Sequence, residues 1–318
     1  MEAENAVWLF PGQGSQFVGM GWELLREFPP AAEILELASG LCGADLQELC
    51  LRGPESSLGR TDRLQPALTA ISLGCSQLLM SRGYRPGAVA GHSLGEFAAL
   101  YAAGVLSAEE TLHLASERGR LMHEAAQRVQ GGMLAVRDLA APRVEQVAAD
   151  LQDRFAITVA NYNSPRQIVL SGEPQALERA RAAVLRQGGT ARPLNVSGPW
   201  HSSLLRQAER RFAACIDEVS FRDPSVPVFL GVTGTPCRSG RAIRAVMGRQ
   251  MCSPVHWTRV VEEMVRIGAA RFIEVGPGKV LRGLLRETLA EAGAYPTVGF
   301  AGPKDLRFLQ GPATGAGV

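Results

Sequence analysis

Pro86-Gly87-Ala88-Val89-Ala90-Gly91-His92-Ser93-Leu94-Gly95-Glu96-Phe97-Ala98-Ala99-Leu100-Tyr101-Ala102-Ala103 is the stretch on which the fold reading turns. Its first five residues form a short apolar strand opened by turn formers, and its last eight are Ala-rich and helical. Between them, Gly91-His92-Ser93-Leu94-Gly95 has the form of a nucleophile elbow, in which a serine sits on a sharp strand-to-helix turn with its hydroxyl exposed. The Ser93 and Leu94 amides then fall at a helix N-terminus, where partial positive charge favours an oxyanion. Such five-residue patterns also arise in ordinary glycine-rich turns, so the elbow alone leaves a catalytic serine and a plain turn serine side by side.

A second signal lies upstream. Val7-Trp8-Leu9-Phe10 is an apolar strand running into Pro11-Gly12-Gln13-Gly14-Ser15-Gln16, whose glycines expose backbone amides. The dinucleotide fingerprint fails because Phe17 stands where the third glycine belongs, and no Walker lysine follows. Beside a serine elbow, a loop of free amides reads as the second half of an oxyanion hole.

Short apolar strands alternate with amphipathic helices along the chain, which predicts an α/β fold with a mainly parallel sheet. Core strands are expected at 7–10, 88–91, 226–232, 271–275 and 297–300. From Gly131 to Ser197 the rhythm changes to strand 133–136, helix 141–150, strands 157–160 and 167–171, helix 175–187 and strand 191–196. This βαββαβ order predicts an inserted ferredoxin-like subdomain. The expected organisation is a large α/β subdomain from 1–130 and 198–300, a ferredoxin-like subdomain at 131–197, and an active site in the cleft between them. Residues 301–318 lack sustained periodicity and read as a loosely ordered tail.

Composition narrows the class. With 318 residues and 46% hydrophobic content, the chain can bury a large core. A net charge of +2 gives no reason to invoke nucleic acid, and only Lys279 and Lys304 among the 33 basic residues are lysines. Glu2 and Glu4 stand where a signal peptide would be basic, and no apolar run approaches the ~18 residues of a membrane span. Cys42, Cys50, Cys75, Cys215, Cys237 and Cys252 show neither a CxxC pair nor zinc spacing, so reduced thiols in a cytoplasmic protein without a metal are expected.

Six motifs occur in order: Phe10 to Gln16; Gly91 to Glu96; Glu117-Arg118-Gly119-Arg120-Leu121-Met122; Asn161-Tyr162-Asn163-Ser164-Pro165; Gly198-Pro199-Trp200-His201-Ser202; and Gln250-Met251-Cys252-Ser253-Pro254-Val255. Together they resemble the malonyl-CoA:acyl carrier protein transacylase family, which includes the acyltransferases of polyketide synthases. The resemblance covers nearly the whole chain up to about Phe300. It implies a hydrolase-like α/β core and a ping-pong transfer in fatty acid or polyketide biosynthesis. Malonyl-CoA acylates Ser93, and the phosphopantetheine thiol of an acyl carrier protein then takes the malonyl group. No cofactor is implied.

Site residues follow by the same route. A serine hydroxyl needs a base, and the base must be held in the right tautomer. Of the five histidines, His201 lies in an exposed turn and matches the family's base; His92 supports the elbow, His113 and His123 sit on a helix from Ser107 to Arg128, and His256 reads as structural. No unique carboxylate suggests itself as orienter, and the resemblance implies the backbone carbonyl of Gln250 instead. It likewise implies the Gln13 and Leu94 amides as the oxyanion hole, with Asn163, Met122 and Trp200 lining the acyl site. Read alone, Arg118 is a solvated helix arginine like Arg120; matched to the family's Arg-Gly pair, its planar fork binds the malonyl carboxylate.

Three positions depart from the family pattern: Trp200 for phenylalanine, Gly231 for asparagine and Leu134 for a smaller alanine. The first and third are expected to reshape the acyl pocket, with Trp200 crowding an α-substituent and so favouring malonyl over methylmalonyl. A serine hydrolase acting on acyl carrier proteins shares Ser93 and His201 but generally lacks the arginine. Another acyl donor, and a non-catalytic carrier-binding module, remain as further readings; the module has no use for Ser93, His201, Gln13 and Gln250 together.

Overall fold

A computed structural model describes residues 6–290, 293 and 295–309. Its strands are β1 (Ala6–Phe10), β2 (Ala88–Gly91), β3 (Gly132–Arg137), β4 (Ile157–Ser164), β5 (Gln167–Gly172), β6 (Thr190–Pro193), β7 (Val228–Leu230), β8 (Thr235–Cys237), β9 (Arg271–Val275) and β10 (Thr297–Phe300). Six form one sheet in the order β10-β9-β1-β2-β7-β8, parallel throughout except for β8, which returns antiparallel to β7. A parallel sheet is covered on both faces, so its central strands read as near-continuous apolar runs. In β1 all five residues are buried, with Trp8 and Phe10 entering one core cluster and Val7 and Leu9 the other.

Residues 132–193 form the second sheet, β4-β5-β3-β6, antiparallel at every pairing. Numbered within this segment the order is 2-3-1-4, the ferredoxin-like arrangement that the βαββαβ sequence predicts. Along β3, Leu134 and Val136 face the helices Ala141–Gln152 and Pro174–Arg186, whereas Met133 joins the main core on the other face. This alternation is the period of two that a half-covered strand requires.

The differences from expectation have local causes. β6 ends at Pro193 rather than at 196: the Leu194 amide makes one last bond to the Met133 carbonyl at 2.9 Å, and a tight turn from Val196 N to the Leu194 carbonyl at 3.0 Å then takes the chain off the sheet. β7 occupies only three of the seven residues expected, and β8 is too short to give a periodic signal. The expected loose tail is instead ordered over Pro303–Leu309, where Arg271 Nη1 donates to the Leu309 carbonyl at 3.2 Å and Lys304 pairs with Glu23 at 2.8 Å. The remainder of that segment, 310–318, lies outside the described residues. Among the described residues, no helix is long and apolar enough to cross a membrane, and no cluster of three His, Cys, Asp or Glu side chains could hold a metal ion.

Candidate active site

Register builds the site. Phe10 lies opposite Gly91, so β1 and β2 end at the same level and their loops leave side by side. On one side of β1 lie β2 and β7, on the other β9 and β10; a parallel sheet opens its ligand crevice at the carboxyl ends beside such a reversal. Three glycines permit the packing: a Cβ on Gly95 would overlap the Phe10 carbonyl, one on Gly91 the Gly95 backbone, and one on Gly12 the His92 carbonyl. At the turn, Ser93 has φ 51°, a left-handed conformation that costs a side chain about 1–2 kcal/mol and lifts its hydroxyl out of the turn. Gln13 and Leu94 both line the pocket, and among the described residues neither main-chain amide has a backbone acceptor in the turns and loops.

His201 also has positive φ, 57°, and its Nε2 stands 2.8 Å from Ser93 Oγ. Its Nδ1 lies 3.1 Å from the Gln250 carbonyl and 3.0 Å from that of Ser253. Carbonyl oxygens only accept, so Nδ1 carries the hydrogen and Nε2 is free to accept the serine proton. Burial, the Arg118 charge and His92 together push the imidazole down from its usual value to about 3. The imidazole is therefore neutral without a carboxylate partner. A titration of His201 followed by NMR is expected to show neutral imidazole down to pH 5, and a midpoint near 6.5 would contradict this environment. Because the folded value is depressed, the stability linked to this ring is full above about 6.5 and falls as pH drops below it.

Arg118 is not solvated: it is 1% exposed. Its helix, Ala108–Arg128, starts at a Ser107/Glu110 capping box and turns Leu114, Ala115, Leu121 and Met122 inward with Arg118 on the same buried side. Gly119 lets this helix close on Thr61–Ser81, since a Cβ there would come 2.7 Å from the Thr61 carbonyl. Arg118 then donates from Nη1 to Gln65 Oε1 at 2.8 Å, from Nε to Gln250 Oε1 at 3.1 Å and from Nη2 to Ser93 Oγ at 3.1 Å. Guanidinium has five N–H donors, so three bonds leave one N–H on each terminal nitrogen, a fork for a carboxylate. Burial lowers its pKa to about 10, with the Glu96 charge pulling the other way, and the group stays cationic at neutral pH. Arg120, by contrast, pairs on the surface with Glu117 and Glu124 at 2.5 Å each.

Gln250 acts through both its main chain and its side chain. Besides holding His201 and Arg118, it donates from Nε2 to the Ser93 carbonyl at 3.0 Å and to Glu96 Oε2. Glu96 Oε1 accepts from the Gly231 amide at 2.5 Å. Burial pushes the Glu96 carboxyl up to about 7, opposed by the Gly231 and Gln250 donors and the Arg118 charge.

Ser93, Leu94, Gln13, His201, Arg118, Met122, Asn163 and Trp200 all line one pocket, with Gln250 behind it. Met122 Sδ accepts from Gln65 Nε2 at 3.1 Å. Asn163 donates to Gln167 at 3.0 Å, which leaves its Oδ1 to accept from His92 Nε2 at 2.8 Å. His256 stacks on Tyr162, a packing role. Leu134 does not shape the acyl pocket as expected, because it is buried in the small sheet's own core; its neighbour Met133 lines the pocket. Trp200 lines the pocket too, yet the fused ring that distinguishes an indole from a phenyl lies over Gly198, where a Cβ would come 2.6 Å from Cη2 and Cζ3. Any crowding of an α-substituent is thus smaller than ring size alone implies.

The sequence reading missed Gln65, Ser253 and the part played by Glu96. Gln65 and Glu96 carry one visible signal, an uncharged amide in Leu64–Leu73 and an acid in Gly95–Ala102, both otherwise largely apolar helical runs. Ser253 contributes only its carbonyl, which no side-chain pattern announces.

A buried neutral histidine in contact with an elbow serine, beside two available amides and a cationic fork, is equipped to form and hold an acyl-serine ester. The chain belongs to the acyl transferase domain family, whose model matches residues 7–308. A malonyl CoA-acyl carrier protein transacylase of Synechocystis sp. is 40% identical over 284 residues, 89% of this chain and 94% of its own. The polyketide biosynthesis protein ThaF of Burkholderia thailandensis is 40% identical over 304 residues, 93% of this chain and 26% of that protein. Among solved structures, the malonyl-CoA:acyl carrier protein transacylase (FabD) of Xanthomonas oryzae matches with a TM-score of 0.91 at 37% identity, covering 97% of this chain and 98% of that one. A malonyl-transacylase in complex with its type II PKS acyl-carrier protein, PlMCAT:AntF, matches at 0.89 and 34% identity, covering 95% and 98%.

Proposed function

We propose that this chain moves a malonyl group from malonyl-CoA to the phosphopantetheine thiol of an acyl carrier protein through an ester on Ser93. The observation that carries the donor assignment is Arg118, buried 3.1 Å from Ser93 Oγ with one N–H to spare on each terminal nitrogen. That fork matches the distal carboxylate of a malonyl thioester, and a cation this dry has a strong demand for an anionic partner.

In the first half-reaction Ser93 Oγ attacks the thioester carbon while its proton passes to His201 Nε2. The Gln13 and Leu94 amides receive the developing oxyanion. As the C–S bond breaks, the imidazolium returns the proton to the coenzyme A sulfur. The carrier thiol then gives its proton to His201, its sulfur attacks the ester, and Ser93 leaves with the proton restored. Proton bookkeeping closes on one histidine, and no cofactor enters the scheme. The six free thiols fit a reducing compartment, and the cytoplasm is the proposed location.

Incubation with malonyl-CoA, followed by intact-mass and peptide mass spectrometry, tests the reading. A single malonyl ester at Ser93, discharged by added holo carrier protein much faster than by water, is expected. An ester elsewhere sinks the assignment, and discharge by water as fast as by carrier protein makes the protein a hydrolase.

A further inference from the structure

Glu96 is a buried carboxylate at the site with no part in the chemistry just described, and each of its oxygens faces a donor. The Gly231 amide donates to Oε1 at 2.5 Å, and Gln250 Nε2 donates to Oε2. Neither donor can exchange roles. A main-chain N–H is fixed, and the Gln250 amide is pinned at both ends, its Oε1 by Arg118 Nε at 3.1 Å and its Nε2 by the Ser93 carbonyl at 3.0 Å. Only a carboxylate accepts on both oxygens; an isosteric amide must turn its NH₂ against one of the two donors.

We infer that Glu96 is a positioning residue that locks the Gln250 amide, so that one residue aims both Arg118, through its side chain, and His201, through its main-chain carbonyl. Glu96 lies in the first turn of the elbow helix, three residues after Ser93, and Gly231 closes the end of β7. The lock therefore ties nucleophile, base holder and carboxylate fork to one anion. A Cβ at Gly231 would come 3.1 Å from Val255 Cγ1 and 3.3 Å from Glu96 Oε1, so this end of β7 packs directly on the lock. This inference rests on the acyl-transfer reading above.

A cycle of E96Q, Q250E and E96Q/Q250E tests it, read as the rate of Ser93 malonylation, with circular dichroism to establish folding. E96Q opposes two donors, and Q250E opposes two carboxylates. Exchanging both restores complementarity toward Gly231, between 96 and 250, and toward Arg118, leaving as the one mismatch a carboxylate oxygen at 250 facing the Ser93 carbonyl. Each single variant is expected to lose about tenfold or more, and the double variant to run about tenfold faster than Q250E. A double variant as slow as the product of the two single losses overturns the inference, because loss of packing or stability multiplies in that way. Wild-type protein that takes up no malonyl at Ser93 defeats the acyl-transfer reading instead, before any variant is compared. Should the charge variants fail to fold, Gln250→Ala decides, since it keeps the carbonyl for His201 and removes only the amide. Its preference for malonyl-CoA over acetyl-CoA is expected to fall about tenfold, whatever the loss common to both donors. Equal losses for both donors overturn the lock.

Discussion

Replacing His201 by alanine is expected to slow acylation of Ser93 by about 10⁴-fold or more, the scale on which removal of a triad histidine acts in serine hydrolases. The reason lies in the bonds around the ring. Ser93 Oγ has two polar neighbours, His201 Nε2 at 2.8 Å and Arg118 Nη2 at 3.1 Å, and a guanidinium cannot take a proton. Without the imidazole the hydroxyl has no acceptor within reach. The Gln13 and Leu94 amides remain, so a small residual rate persists. Stopped-flow acylation with malonyl-CoA, together with the thermal midpoint of the variant, separates lost chemistry from lost folding. A His201→Ala enzyme within tenfold of wild type, with His92→Ala crippled instead, would pass the role of base to His92.

Arg118→Ala carries the second large effect, and its direction depends on the donor. A buried carboxylate left without its cation loses more than the ~1.5–3 kcal/mol of a hydrogen bond to a charged group, so malonyl transfer is expected to fall at least about 100-fold. Acetyl-CoA has no distal carboxylate and should be handled as well as before, or better. Two upward shifts accompany the loss. Removing the cation relieves one of the causes that depress His201, which becomes more basic, and it takes away a charge that favours ionised Glu96, whose carboxyl rises further. Competition between the two donors, read by mass spectrometry at Ser93, gives the answer. An unchanged malonyl preference in the variant removes the ground for naming malonyl.

The parts of the molecule that sequence disclosed are those whose cause is local. A serine between two glycines, after an apolar strand and before an Ala-rich helix, is legible from the elbow itself, because the close approach at Gly91 is made by the Gly95 and Glu96 backbone just beyond the serine. The small sheet declared itself through alternation along β3 and β5 and amphipathic helices between. The environment of Arg118 was hidden for the opposite reason: its partners Gln65 and Gln250 lie 53 and 132 residues away, and nothing in Glu117-Arg118-Gly119-Arg120 separates a buried arginine from an exposed one. Only the family likeness pointed inward there. Leu134 was misplaced because a strand's pocket face and core face differ by a single residue of register, which composition cannot choose.

Ser93 and His201 share one further property, a backbone folded into the left-handed region where glycine is at ease and side chains are not. Glycine at both places would ease the backbone and leave an inert protein, without the buried His201 ring and the bonds it makes to the Gln250 and Ser253 carbonyls. The two side chains proposed to carry the chemistry are thus also two places where the backbone is held away from its own optimum, and the distance from that optimum records what selection has been for.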